Sequence, residues 1–353
     1  MRRRISYPFI LILLPLIMVI FLKIVAGEVD FNRWDNYERH TISYWWTHNM
    51  WLRGHIPFIN FHQHLGEHVI SNGQSAALYF PLTIIVFFMK VFKISAGNLT
   101  LLIFLIHLPF MMLGWYFFFK NLNVRKSIAF LGAMSISTTG YVLASAMVWI
   151  HHLIVFSYIP WLLLCLNKIF EDDSLKKWNF LFALFLMLAC YGSHIQMFVY
   201  LCVFLFLYIC FCLSARIITG KKFFYAIKIF IAGLLLCLPV ILPIMNFAKY
   251  TQRQQAFPRE VFLQRSLSFR SLSGIFLPIY KSKGEIFGEE VTVMPFMGGW
   301  VLLPLLWSFL CNKKLKYASV FYALSFIFFI FSLGKNLSLI HISEPTRPLY
   351  ISY

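Results

Sequence analysis

The residues able to do chemistry are crowded into one stretch. Between Glu28 and Pro81 lie six of the chain's eleven histidines and five of its thirteen carboxylates. Asp35 and Glu38 are spaced i, i+3, so on a helix they share a face; Asp30 and Glu28 precede them. A carboxylate beside a membrane can act as a general base, or can hold a divalent metal that bridges phosphates. The same spacing also describes a solvated loop with ordinary ion pairs to Arg33 and Arg39.

The histidines are His40, His48, His55, His62, His64 and His68. His64 and His68 are four apart, with Glu67 between them. The string H-L-G-E-H is not the metalloprotease H-E-x-x-H, in which the glutamate directly follows the first histidine. Gly66 also weakens any helix there. These side chains read as polar interfacial groups that bond backbone, lipid headgroups or sugar hydroxyls. Tyr44, Trp45, Trp46 and Trp51 suit interfacial anchors, and they also suit stacking on the apolar face of a sugar ring.

Other polar groups sit at short corners between apolar runs. His151 and His152 end one corner, 148–152; His194 and Gln196 lie in another, 192–196. A single histidine at a helix end is an ordinary interfacial residue. Two such corners meeting a carboxylate-rich loop would form a pocket. A second long polar segment, 249–293, carries Arg253, Arg259, Arg265, Arg270, Lys281 and Lys283 among four glutamates. The planar guanidinium fork suits a lipid phosphate, and a solvated mixed-charge loop is the alternative.

The elements that must position these groups are membrane helices. The chain is 60% hydrophobic and only 12% charged, against about 25% charged in soluble domains. A span needs roughly 20 mainly apolar residues. Candidate runs are 8–25, 76–93, 99–119, 127–147, 153–167, 178–192, 196–214, 226–247, 294–311 and 317–333. The net charge of +18 is spread over clusters between these runs. That is the pattern of cytoplasmic loops, not of a nucleic-acid-binding face. Basic clusters at Lys120/Arg125/Lys126, Lys168/Lys176/Lys177, Arg216/Lys221/Lys222 and Lys313/Lys314/Lys316, together with Arg2, Arg3 and Arg4, belong inside. The first polar loop, 28–81, is then outside, and one crossing is allowed between it and Lys120. Of the two runs in that interval, 76–93 carries Pro81, Lys90 and Lys93. It is expected to be an interfacial or re-entrant helix on the outer face. The expected architecture is an all-α polytopic membrane protein of about nine spans plus this interfacial helix, with a cytoplasmic N-terminus. No carboxylate lies inside a span, which argues against a proton- or ion-coupled transporter. All seven cysteines lie in or beside apolar runs and read as small core residues.

The chain resembles the YfhO-type bacterial membrane proteins, a branch of the GT-C superfamily of polyprenyl-phosphate-dependent glycosyltransferases. The resemblance is carried in order by Asp35 followed by WLRGHIPFINFHQHLG, by GQSAALYFP (73–81) and by TGYVLASAMVWIHHLIVFSYIPWLLL (139–164). It continues through YGSHIQMFVY (191–200), AGLLLCLPVILPIMNFAKYTQR (232–253) and PFMGGWVLLPLL (295–306). It implies a GT-C-like helical bundle over residues 1–336, with 28–81 and 249–293 as extracytoplasmic loops and an acidic catalytic residue in the first. It implies transfer of a sugar from a polyprenyl-phosphate donor to an envelope glycan or lipid acceptor on the outer face of the bacterial cell membrane. Asp35 is the carboxylate that matches, with Glu38 and Asp30 in reserve. Ligand-binding residues would be His151, His152, His194, Gln196, Gln74, Arg253 and Arg259. Apart from Glu28 and Asp30 at its very start, the first loop has no paired D-x-D or E-x-D motif, which leaves open whether a divalent cation, Mg or Mn, takes part. A non-catalytic glycan flippase or an envelope-assembly subunit is the alternative reading. Residues 337–353 contain LSLIHISEPTR, which resembles the in-frame translation of a sequencing-library adapter. That tail is expected to be foreign, with the natural chain continuing beyond 336.

Overall fold

The computed structural model describes residues 7–26, 35–63, 65–171, 176–250, 285–286, 289–290 and 316–333; at 21–26, 37, 38, 144, 285–286 and 289–290 it describes the backbone alone. About 80% of the described residues are helical. The chain forms two units, 1–254 and 255–353. In the second, the described parts are a two-residue hairpin, β3 (Glu285–Ile286) with β4 (Glu289–Glu290), and the apolar helix α12 (Lys316–Leu333).

The first unit begins with α1 (Tyr7–Ala26). A π-helical turn, Asn36–His40, runs into α2 (Thr41–Leu52). A small antiparallel pair follows, β1 (Ile59–Asn60) with β2 (Glu67–His68). Next come α3 (Phe80–Val91) and α4 (Leu99–Asn121). α5 (Lys126–Ser137), α6 (Gly140–Val148) and α7 (Ile150–Glu171) follow. α8 (Lys176–Gly192), α9 (Ile195–Ser214), α10 (Gly220–Leu236) and α11 (Leu238–Ala248) complete the unit.

Among the described residues four helices are long and apolar enough to cross a membrane: the one spanning Ala96–Asn121, then α7, α9 and α12. There are six if the bent pairs α5–α6 and α10–α11 each count as one span. The chain is therefore a helical membrane protein. The expected run 294–311 lies outside the described residues. Two of the expected runs are broken. In 127–147 the helix stops at Thr138 and restarts at Gly140 with a 50° bend. In 226–247 it bends by 62° at Cys237. There Pro239 opens α11 at a position where its missing N–H costs nothing.

α7 forms the centre. It is apolar around its whole circumference and buried on almost all of it, as expected of a helix enclosed by others. α4 lies against it closely enough that a Cβ on Gly114 would come within 2.7 Å of the Trp161 indole nitrogen. By contrast α9 and α10 leave Val199, Val203, Phe206, Phe224, Ile231 and Leu235 exposed. On a membrane protein such a surface faces lipid.

The two ends of the unit differ in chemistry. At one, Asn121 donates to Glu171 at 2.6 Å and the Lys222 ammonium bonds the carbonyls that end α7. Lys120, Lys126, Lys168, Lys176 and Lys221 sit on the same helix ends. Tyr7 of α1 meets Phe130 of α5 towards this end, their ring centroids 5.1 Å apart. The loop between α1 and α3 gathers at the other end, against the start of α7 and the α8–α9 turn. α3 has twelve residues, about 18 Å of helix at 1.5 Å per residue, against a hydrocarbon core of about 30 Å. Its inner face (Leu82, Ile85, Val86, Met89) is buried, and Phe80, Ile84, Phe87, Phe88 and Val91 are exposed. The helix starts later than the apolar run because Ala76 takes a left-handed φ of 49° and Pro81 stands in the first turn.

Two polar links fasten this loop to the bundle. His107 Nδ1 lies 2.9 Å from the Ile103 carbonyl, which can only accept, so His107 Nε2 must accept from the Tyr79 hydroxyl at 2.8 Å. The Tyr79 oxygen then accepts from Tyr158 at 2.6 Å. Tyr79→Phe strands both partners in an apolar interior and should cost about 1–3 kcal/mol; thermal unfolding of the purified protein in detergent checks this. The second link is His48 Nδ1 to Thr83 Oγ1 at 2.9 Å, joining α2 to α3. Burial holds the His48 pKa down to about 3 from 6.5. A depressed histidine stabilises the fold above its unfolded pKa and loses that contribution as pH falls from about 6.5 towards 3. His48→Asn, whose amide can reach Thr83, should show a shallower fall in unfolding temperature over that window.

Candidate functional site

The site is built on the π-helical turn at Asn36–His40. Asn36 is fully buried and spans the gap between α6 and α7. Its Nδ2 donates to the Ala146 carbonyl and its Oδ1 accepts from the Ile150 N–H, both at 2.9 Å. Backbone groups at a helix break have no partner within the helix, and Asn36 supplies one to each side. This break is the corner 148–152 read from the sequence.

Asp35, the expected catalytic carboxylate, is exposed, and its Oδ2 accepts the indole N–H of Trp149 at 2.8 Å. The indole fixes the carboxylate while leaving it open to solvent. On the inner side of the same turn, His40 is 1% exposed and its Nε2 lies 3.1 Å from His151 Nδ1. His151 packs edge-on against His152 at 4.6 Å between ring centroids and lies 5.6 Å from His194. The structure thus brings together His151, His152 and His194, and adds His40. Burial first, then the neighbouring Arg39, His152 and His194, holds the His40 pKa down to about 3.

Beside this cluster a cleft of about 320 Å³ opens between the first loop, the α8–α9 turn and α11. Arg39, Glu67, Asn72, Gln74 and His194 form its polar side; Ile195, Ile244 and Phe247 form its apolar side. Glu67 takes Arg39 at 3.3 Å and the Asn72 amide at 2.6 Å on one oxygen. His68 lies 4.8 Å from the Phe247 ring. The Gly73 carbonyl accepts from the Ile195 N–H at 3.1 Å, which joins the loop to the start of α9. A cleft with a paired charge, several amides and one apolar wall suits an uncharged polyhydroxylated ring.

Of the expected ligand residues, Gln74 and His194 line this cleft. Gln196 does not line it: its amide donates to Tyr200 at 2.7 Å along α9. Asp30, Arg253 and Arg259, and the Glu38 side chain, lie outside the described residues. Sequence reasoning missed Asn36 and Asn72; it offered Arg39 as a surface ion-pair partner, and the structure pairs it with Glu67 at the edge of the cleft. Asn36 carries no motif, and its role needs a helix break more than a hundred residues away.

A divalent cation is a separate question. Among the described residues no group of three or more His, Cys, Asp or Glu side chains could hold a metal ion. His40 and His151 turn nitrogens towards each other, and His194 Nδ1 accepts the Gln196 N–H at 3.0 Å. The described donors do not fit such an ion.

Asn36→Leu should leave the Ala146 carbonyl and Ile150 N–H without this partner, at a cost of about 1–3 kcal/mol for each buried group. Lower thermal stability together with loss of the Asp35–Trp149 contact, read as a change in tryptophan fluorescence, checks it. Comparisons with protein-family profiles, curated proteins and solved structures find no match to this chain.

Proposed function

We propose that the chain is a membrane glycosyltransferase of the GT-C type. It moves a sugar from a polyprenyl-phosphate carrier to an envelope glycan or lipid acceptor on the outer face of a bacterial cell membrane. The observation that carries the reading is an exposed, indole-anchored Asp35 one turn of chain from Arg39, which lines a cleft of about 320 Å³ with a polar and an apolar side. The sequence resemblance, through Asp35 and the stretches that follow it, supports the same reading. In this proposal the expected GT-C-like bundle of nine spans stands with the loop end of the first unit outside and the basic end inside.

The chemistry follows from the residues. Asp35 accepts the proton of the acceptor hydroxyl. That oxygen forms the new bond to the anomeric carbon as the bond from that carbon to the phosphate oxygen breaks. The carrier phosphate leaves with the bonding electron pair. Arg39, its charge balanced by Glu67 at 3.3 Å, presents guanidinium N–H groups at the cleft, and Gln74, Asn72 and His194 hydrogen-bond sugar hydroxyls. Positioning of this kind lowers the barrier by holding the reactants in line.

General-base catalysis contributes about 10²–10⁴-fold. Asp35→Asn should therefore lower sugar transfer by at least about 100-fold while leaving the amount of folded protein unchanged. The measurement is transfer of radiolabelled sugar from a polyprenyl-phosphate donor in membranes containing the protein. Unchanged transfer would remove Asp35 from the mechanism. Flipping of labelled lipid-linked sugar without transfer would move the assignment to the flippase reading. The buried polar side chains within the helices favour transferase over flippase. His107, Ser157 and Asn167 each bond a neighbouring group in the packed interior.

A further inference from the structure

Four histidines from three separate segments meet in the first unit, two of them buried and two half-buried. They are His40 on the first loop, His151 and His152 on the first turn of α7, and His194 at the start of α9. His40 and His151 are 1% and 3% exposed. Their contact across 3.1 Å joins the π-helical turn to the start of α7 beside Asn36, while Tyr79 bonds Tyr158 deeper along the same helix. One proton can occupy that N···N line, so the contact holds while at least one of the two rings keeps its lone pair there and fails when both are protonated. We propose that this cluster is a pH-sensitive latch, which takes up protons on acidification and releases the first loop from the α7–α9 corner.

The surroundings decide the direction. Facing His40 are His151, the Tyr44 ring at 5.4 Å, and Arg39 on its own turn. His152 is flanked by Trp149 at 5.4 Å and Phe156 at 6.1 Å, and its Nδ1 is buried without a hydrogen-bond partner. The described carboxylates of the loop are engaged elsewhere: Asp35 with Trp149, Glu67 with Arg39 and Asn72. A proton added to the cluster therefore enters a buried space already bordered by a guanidinium. Charge in such a place costs several kcal/mol unless it is paired or hydrated. Moving the loop outward hydrates the rings and relieves that cost. The displaced loop carries Asp35 away from Trp149 and Arg39, Glu67, Asn72 and Gln74 away from Ile195 and Phe247, so the cleft opens with it. The latch stands on this geometry alone and is independent of the sugar-transfer reading.

The test uses the purified protein in lipid nanodiscs, without substrate, titrated from about pH 7.5 to about pH 4.5, the range where histidine changes charge. Backbone hydrogen exchange, corrected for intrinsic pH dependence, reads loop release. Exchange at the imidazole C2 carbon reads proton uptake at each histidine. The latch predicts at least a tenfold loss of protection over residues 36–52, with α4 and the second half of α7 unchanged. The transition should coincide with proton uptake at His40 and His151. His40→Gln should make loop protection independent of pH over this range. If that variant does not fold, coincidence of the two exchange signals in the native protein decides. Protection that stays constant with pH, or a loop that opens without proton uptake by the cluster, would overturn the latch.

Discussion

The buried Asn36 amide is the interaction on which the site depends. A helical bundle built from apolar side chains tolerates few unpaired backbone groups, and a break between two helices creates several at once. Asn36 reaches from the first loop into the break at Trp149 and bonds both sides of it. That one contact fixes where the π-helical turn lies. Asp35 is then set outward against Trp149, Arg39 towards the cleft, and His40 inward against His151. Three chemically different residues obtain their places from a fourth that has no chemistry of its own.

The polar network beneath the loop extends this logic into the bundle. Tyr79, His107 and Tyr158 form a chain whose donor and acceptor roles are set by a backbone carbonyl that can only accept. Small residues let the helices close around it. A Cβ at Gly192 would come within 2.6 Å of Ile154 and 3.0 Å of Tyr79, so glycine is required where the α8–α9 turn meets the loop. Dense packing of this kind leaves such a network one arrangement. The loop end carries the cleft, and the basic end carries the solvated charges.

The residues that work together also explain why the cleft is modest in charge. Arg39 and Glu67 neutralise each other at its edge, and Asn72 shares the same glutamate oxygen. The remaining donors and acceptors are amides and imidazoles. An apolar wall from α9 and α11 faces them. This combination favours ligands that present hydroxyls on one side and C–H groups on the other.

The sequence by itself determined the class of the molecule and the location of its chemistry. Long apolar runs with few charges can only be satisfied as membrane helices, and the crowding of ionisable groups into 28–81 marked the loop. The run 76–93, with Pro81, Lys90 and Lys93, reads from the sequence as an interfacial or re-entrant helix, and in the structure α3 has twelve residues. The corners at 148–152 and 192–196 were legible because polar residues interrupt apolar periodicity there. Only tertiary structure decided which of these groups meet. Asn36 reads as any loop asparagine until Ala146 and Ile150 stand beside it, and His40 gains its partner 111 positions away. The bend at Cys237 stands beside Pro239, which marks that run as one that can break; the bend at Thr138 has no proline beside it, and hydropathy is blind to helix direction. Composition reports what a segment can be buried in; which side chains touch depends on how the helices close around α7, and no local pattern encodes that.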